Sequence, residues 1–246
     1  MHYAEELGKA LDYVEGLRAQ LVAWRRRLYM MPELSGEEEE TAGFITSQLR
    51  RLGLNTRTQV GGHGVVGILR GAEAGINIGY RADMDALPIQ DAVEKPYRAL
   101  RLGVKHACGH DVHMALALGI AETLVKADIH LPGTLKLIFQ PAEESLDGAR
   151  TMIRDGVLRE PSIDALLAIH TFPMLTGTVG LNSGLCLAGM DEFKVRFYAP
   201  AGNLHPLIER ARRALESLTT ASAPTTSSEF GEILGKMIDG NNLRQT

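Results

Sequence analysis

The chain has 246 residues, 45% of them apolar and 23% charged, with 26 basic against 30 acidic side chains and a net charge of −4. Those proportions belong to a soluble globular protein holding one large domain or one and a half ordinary ones, and they give no basis for nucleic acid or an acidic membrane as partner. No apolar run approaches membrane-spanning length, and the first residues lack the apolar core of a signal peptide, so a cytoplasmic setting is expected.

Residues 4–31 read as a helix, with apolar positions at Leu7, Leu11, Val14, Leu17, Leu21, Val22 and Leu28, ended by Pro32. The arginines at 25–27 and at 210, 212 and 213 read as solvated faces. Ser35 and Glu38 form a capping-box pattern ahead of a second helix through Leu52, closed by Gly53. The acids at 37–40 suit the positive end of that helix. The period then shortens. Residues 56–60, 65–69 and 76–80 are apolar or alternating runs broken by glycine, and they read as strands. A helix from Asp111 to about Ala127 follows, buried on most of its circumference. Next come a strand at 135–139, a helix from about 147 to 154, a strand at 165–169, and strands near 177–181 and 193–198. Strands alternating with helices predict an α/β sheet covered on both faces. His205 to Leu218 reads as helical, Thr219 to Ser228 as a linker-type tract, and 241–246 carry no closing element.

One stretch stands out. His106-Ala-Cys108-Gly109-His110-Asp111-Val-His113 concentrates three imidazoles, a thiol and a carboxylate in a protein with 8 histidines and 2 cysteines. Borderline transition metals prefer His and Cys donors. Gly109 leaves the backbone free to bend, so that Cys108 and His110 can converge on one ion, and His110 and His113 lie one helical turn apart. The competing reading is a polar turn with Asp111 as helix cap, which leaves the thiol and the histidines without a purpose. Cys108 and Cys186 are too few for a disulfide framework.

Ligands of open α/β sheets bind beyond the carboxyl ends of the strands. The strand 76–80 runs into Arg81, Asp83 and Asp85; the strand 135–139 runs into Gln140, Pro141, Glu143 and Glu144; the strand 165–169 delivers His170. Taken singly, Asp83 and Asp85 suit a turn, Glu143 and Glu144 a solvated surface, and His170 a core. Their coincidence with Cys108 and His110 points to one site. Adjacent residues on extended chain face opposite ways, so one glutamate can ligate metal while the other addresses water. Glu143 is assigned as general base and Glu144 as ligand, an arrangement suited to amide hydrolysis. The run Gly62-His63-Gly64-Val65-Val66-Gly67 matches a dinucleotide fingerprint but leads into a strand where that fingerprint needs a helix, so its glycines are read as a tight turn. A G-x-S-x-G elbow is absent.

Together these residues resemble the M20 metallopeptidase superfamily, in the amidohydrolase branch with hippurate hydrolases, N-acyl-amino-acid deacylases and auxin-conjugate hydrolases. The motifs are Pro32-Glu33-Leu34-Ser35, Arg81-Ala-Asp83-Met-Asp85-Ala-Leu-Pro88, the 106–113 run, Gln140-Pro-Ala-Glu143-Glu144, and His170 with Pro173. The likeness covers about residues 20–198. It implies a zinc-exopeptidase-like catalytic domain, a mixed sheet sandwiched by helices, over 1–190, with the start of a lid and dimerisation segment or a divergent tail over 191–246. It also implies two divalent ions (manganese, zinc, nickel or cobalt) held by Cys108, His110, Glu144 and His170. Glu143 would be the catalytic acid and base, and Asp85 the acid supporting a metal ligand. Asp83, Asp111, His113 and His205 are possible accessories. The substrate implied is a small N-acyl amino acid, and the assembly a homodimer or homo-oligomer.

Departures are visible too. Members of that superfamily are longer, with a later half that brings a final metal-binding histidine, so the resemblance implies a truncated member. Asn203 stands where the lid would place a carbonyl-polarising histidine, His205 lies two residues on, and Tyr29 replaces a histidine of the first motif. The alternative functional reading is a non-catalytic homologue that binds metal or a partner chain without turnover. A nucleotide-binding module would rest on the glycines at 62–67 alone.

Overall fold

A computed structural model of the chain describes residues 2–172, 177–180 and 205–216. The chain divides into two compact units, Met1–Phe172 and Pro173–Thr246. In the second unit the described residues include one helix, α5 (His205–Glu216), close to the predicted 205–218. Residues 177–180 carry no strand. Leu181, the predicted strand at 193–198, Asn203, Cys186, Pro173 and the tract after 218 lie outside the described residues.

The first unit holds α1 (His2–Met30), α2 (Glu39–Arg51), β1 (Asn55–Val60), β2 (Gly64–Arg70), β3 (Glu73–Asp83), α3 (His110–Lys126), β4 (Pro132–Gln140), α4 (Gly148–Arg154) and β5 (Ala165–Ala168). The five strands form one mixed sheet in the order β1-β2-β4-β3-β5. The pairs β1–β2 and β2–β4 are antiparallel, whereas β3 is parallel to both β4 and β5. The carboxyl ends of β3, β4 and β5 therefore share one edge. The turn before β2 is made by Gly61 and Gly62, at φ 66° and 100°, as the dismissal of the dinucleotide fingerprint anticipated.

Alternation along the strands sorts side chains to the two faces. Val65 of β2, Tyr80 and Ala82 of β3, and Leu135, Leu137 and Phe139 of β4 meet Trp24 and Leu28 of α1, Ile45 and Leu49 of α2, and Met114, Ala117, Leu118 and Ala121 of α3. The opposite face packs Val66, Ile68 and Ile138 against Met152 of α4 and Val157. Lys136 is buried on that face too, its Nζ donating to the carbonyls of Val157, Arg159 and Pro161 at 2.9, 2.8 and 2.7 Å. At the β5 end, Leu166 and Leu167 stay 53% and 56% exposed.

Local details correct three expectations and set aside the competing reading of Asp111. Ser35 and Glu38 do not form a capping box: Ser35 Oγ donates to Asp85, and Glu38 Oε1 accepts the Ala142 N–H at 2.7 Å. The first turn of α2 is instead served from upstream, where Glu33 accepts the Glu40 and Thr41 N–H groups at 3.1 and 2.8 Å. Glu38 is thus fully buried and not a solvated helix-end acid. Asp111 is not the cap of α3, since Gly109 fills that position at φ 91°. Asp111 is buried and pairs with Arg25 Nε at 2.6 Å, so Arg25 does not belong to a solvated face. Arg25 also lies over Tyr29, whose hydroxyl accepts from Lys95 Nζ at 2.7 Å.

Candidate metal centre

Three parallel strands and one helix deliver the chemistry. Asp83 ends β3 and Asp85 lies two residues on; Cys108 and His110 straddle the turn into α3; Glu143 and Glu144 follow β4; His170 follows β5. The donor atoms of Cys108, His110 and Glu144 lie within 4.8 Å of one another, as do those of Asp85, His110 and Glu143, and those of Asp83, His110, His113 and His170. Cys108 is a free thiol, its Sγ 3.5 Å from His170 Nε2. His110 belongs to all three groups, so it is the centre of the cluster.

The geometry at His110 leaves one nitrogen for an ion. Its Nδ1 donates to the Asp85 carbonyl at 2.8 Å, and Asp85 Oδ1 stands 3.3 Å away. Its Nε2 is buried, has no hydrogen-bond partner among the described residues, and is ringed by Asp83 Oδ2, Glu144 Oε1 and Glu143 Oε2 at 3.6, 3.7 and 3.8 Å. Glu144 Oε1 is also buried and without a hydrogen-bond partner among the described residues. Unpartnered buried acceptors facing one another are costly unless a cation fills the space between them. The donor set of thiol, imidazole and carboxylate suits a transition-metal dication. These residues fit a metal.

Both glutamates reach toward His110, which corrects the expectation that they face opposite ways. Glu143 and Glu144 sit in a turn, not on extended chain. Glu38 and Asp85 shape that turn: Glu38 holds the N–H of Ala142, whose φ is 50°, and Asp85 Oδ2 accepts the Glu144 N–H at 2.9 Å beside the Ser35 hydroxyl at 2.6 Å. Neither Ser35 nor Glu38 was assigned to the site from sequence, because their spacing suits a helix cap equally well.

The electrostatics follow from crowded acids. Burial, then Glu144, push the Cys108 thiol up to about 12, so a neighbouring cation is what would make it a thiolate. Burial raises Glu143, with His110 opposing and Glu144 and Asp83 adding to the rise. Burial works against ionisation of Asp83, but the hydrogen bond from His113 and the charges of His110 and Arg81 lower it to about 2. His106 is buried and held down at about 3 by burial and by His110, and its ring nitrogens find no hydrogen-bond partner among the described residues.

His113 is also buried, with Nδ1 2.6 Å from Asp83 Oδ1. Asp111 faces Arg25. His205 opens α5 in the second unit, with its side chain exposed.

Comparison with known proteins agrees with this picture. The chain is 43% identical over 180 residues to N-acetyl-L-cysteine deacetylase of Bacillus subtilis (strain 168), covering 73% of this chain and 43% of that one. It is 39% identical over 230 residues to IAA-amino acid hydrolase ILR1-like 2 of Arabidopsis thaliana, covering 90% and 52%. Among solved structures, the Bacillus subtilis YXEP protein, described as a dinuclear metal binding peptidase from the M20 family, matches with a TM-score of 0.61 at 38% identity, over 65% of this chain and 44% of that one. The chain spans about half the length of the curated relatives it matches. No helix among the described residues is long and apolar enough to cross a membrane. The model of peptidase family M20/M25/M40 matches residues 79–239, more than half of the sequence, and the chain belongs to that family.

Proposed function

We propose that this chain carries the hydrolytic centre of a metal-dependent amidohydrolase that splits N-acyl amino acids into a carboxylic acid and an amino acid. The observation that carries the reading is the convergence of Cys108, His110 and Glu144 on one space with Glu143 at its rim. The relatives named as a deacetylase of an N-acetyl amino acid and as a hydrolase of an indole-acetyl amino acid support the same bond type.

Cys108, His110, Glu144 and His170 would hold two divalent ions, with thiolate favouring manganese, zinc, nickel or cobalt over magnesium. Such ions supply Lewis acidity, polarising a carbonyl and acidifying water. Glu143 takes the proton of the attacking water as the new C–O bond forms, and returns it to the amine nitrogen as the C–N bond breaks. Its raised proton affinity suits both halves of that task. Asp85 orients the machinery: its carbonyl fixes the His110 tautomer and its carboxylate holds the Glu144 amide. The wider proposal keeps a catalytic region over 1–190, a lid or tail over 191–246, a homodimer or homo-oligomer as the assembly, and the cytoplasm as the setting.

The test is hydrolysis of a panel of N-acetyl amino acids by the cobalt-loaded chain. Glu143→Gln should cut turnover by about 10²-fold or more while leaving the metal content unchanged. Substantial turnover in that variant would sink the mechanism, and metal without turnover in the parent chain would favour the non-catalytic homologue.

A further inference from the structure

We infer that His113 is not a metal ligand but a positioning residue that seats His170 and the Cys108 loop through Thr171. The inference rests on the metal-centre reading above and deepens it.

By residue type alone, Asp83, His110, His113 and His170 would make a four-donor site, and their donor atoms do lie within 4.8 Å of one another. Hydrogen bonding removes His113 from that set. The Thr171 backbone N–H can only donate, and it points at His113 Nε2 from 2.8 Å. That nitrogen is therefore the acceptor and carries no proton. The ring proton sits on Nδ1 and is given to Asp83 Oδ1 at 2.6 Å. Both nitrogens are committed, and no lone pair remains for an ion. The other Asp83 oxygen accepts from Arg81 Nη1 at 2.6 Å, and Arg81 Nε donates to Gln140 Oε1 at 2.9 Å. A continuous relay thus runs from the end of β4 through Arg81, Asp83 and His113 to Thr171.

Thr171 spends every polar group on the centre. Its N–H goes to His113, and its hydroxyl donates to the Cys108 carbonyl at 2.9 Å. Its own carbonyl accepts from His170 Nδ1 at 2.7 Å. The last bond leaves His170 Nε2 facing Cys108 Sγ. The fit is close enough that a Cβ on Gly109 would stand 2.1 Å from Thr171 Oγ1. His113, one turn beyond His110 on α3, is the buried post against which this assembly leans.

The test is nuclear magnetic resonance of the nitrogen-labelled 246-residue chain, first without metal and then with an NMR-active cadmium isotope. The relay predicts His113 protonated on Nδ1 and bare on Nε2, with no cadmium coupling, while His110 and His170 couple through Nε2. A proton on His113 Nε2, or cadmium coupling to either of its nitrogens, would overturn it. Should the chain bind no cadmium, the metal-centre reading fails, and the tautomer in the metal-free spectrum still judges the relay. Two variants test the positioning. His113→Leu cannot accept the Thr171 amide and should weaken cadmium binding about tenfold or more and remove the His170 coupling, as losing an outer partner of a ligand does. His113→Gln keeps an acceptor in reach and should recover most of the affinity. Wild-type affinity in the leucine variant, or no recovery in the glutamine one, contradicts the proposal. If the leucine variant does not fold, the tautomer and the glutamine variant decide it.

Discussion

Asp83 illustrates how the centre is built one residue at a time. Burial alone would favour its neutral form, yet His113, His110 and Arg81 keep it ionised down to about 2. A carboxylate lowered on folding contributes stability that is complete above its ordinary value of 3.8 and is lost as pH falls through about 2. The metal-free chain should therefore lose part of its stability between those values, and Asp83→Asn should flatten that stretch of an acid titration followed by circular dichroism. An unchanged slope would mean that the ion pair contributes nothing to folding. The same residue shows what spacing reveals. Asp83 and Asp85 are legible as site residues because the strand read over 76–80 leads into them. That Asp83 serves His113 rather than an ion was not, because tautomers depend on contacts between segments far apart in sequence.

At the scale of elements, the predicted helices and strands of the first unit all recur with ends shifted by a few residues. Periodicity reports burial, and burial here follows the faces of one sheet. The failures lie at helix starts and in the turn of Glu143 and Glu144, which was expected to be extended chain. Ser35 and Glu38 have the right types and spacing for a capping box, but Asp85 and the Ala142 amide compete for them and win. Glu38 is consequently expected to hold the Glu143–Glu144 turn. Glu38→Ala should weaken cobalt binding about tenfold, as loss of an outer-shell partner does, while Glu38→Gln, which keeps the acceptor for Ala142, should bind nearly as the parent does. Equal binding by all three would show the turn to be held elsewhere. Lys136 is another element-scale device that pattern could not reveal, since its β4 neighbours suggested only a plain strand. Its ammonium ties three carbonyls of the segment after α4 to the sheet. Lys136→Met should cost about 2 kcal/mol in urea unfolding by leaving the buried Val157 carbonyl unsatisfied and freeing those of Arg159 and Pro161. A loss below about 0.5 kcal/mol, the range of ordinary surface substitutions, would contradict the clamp.

For the molecule as a whole, topology explains why distant motifs meet. Three parallel strands place their carboxyl ends on one sheet edge, so Asp83 and Asp85, Glu143 and Glu144, and His170 arrive together without any local sequence signal linking them. The helix carrying His110 and His113 packs against β3 and completes the set. The most direct measurement is the divalent metal content of the purified 246-residue chain beside its Cys108→Ser variant, by elemental mass spectrometry. The proposed centre predicts close to two ions per chain in the parent and a clear loss in the variant. Equal metal content in both, or none in the parent, would mean that the convergence on His110 does not serve a metal.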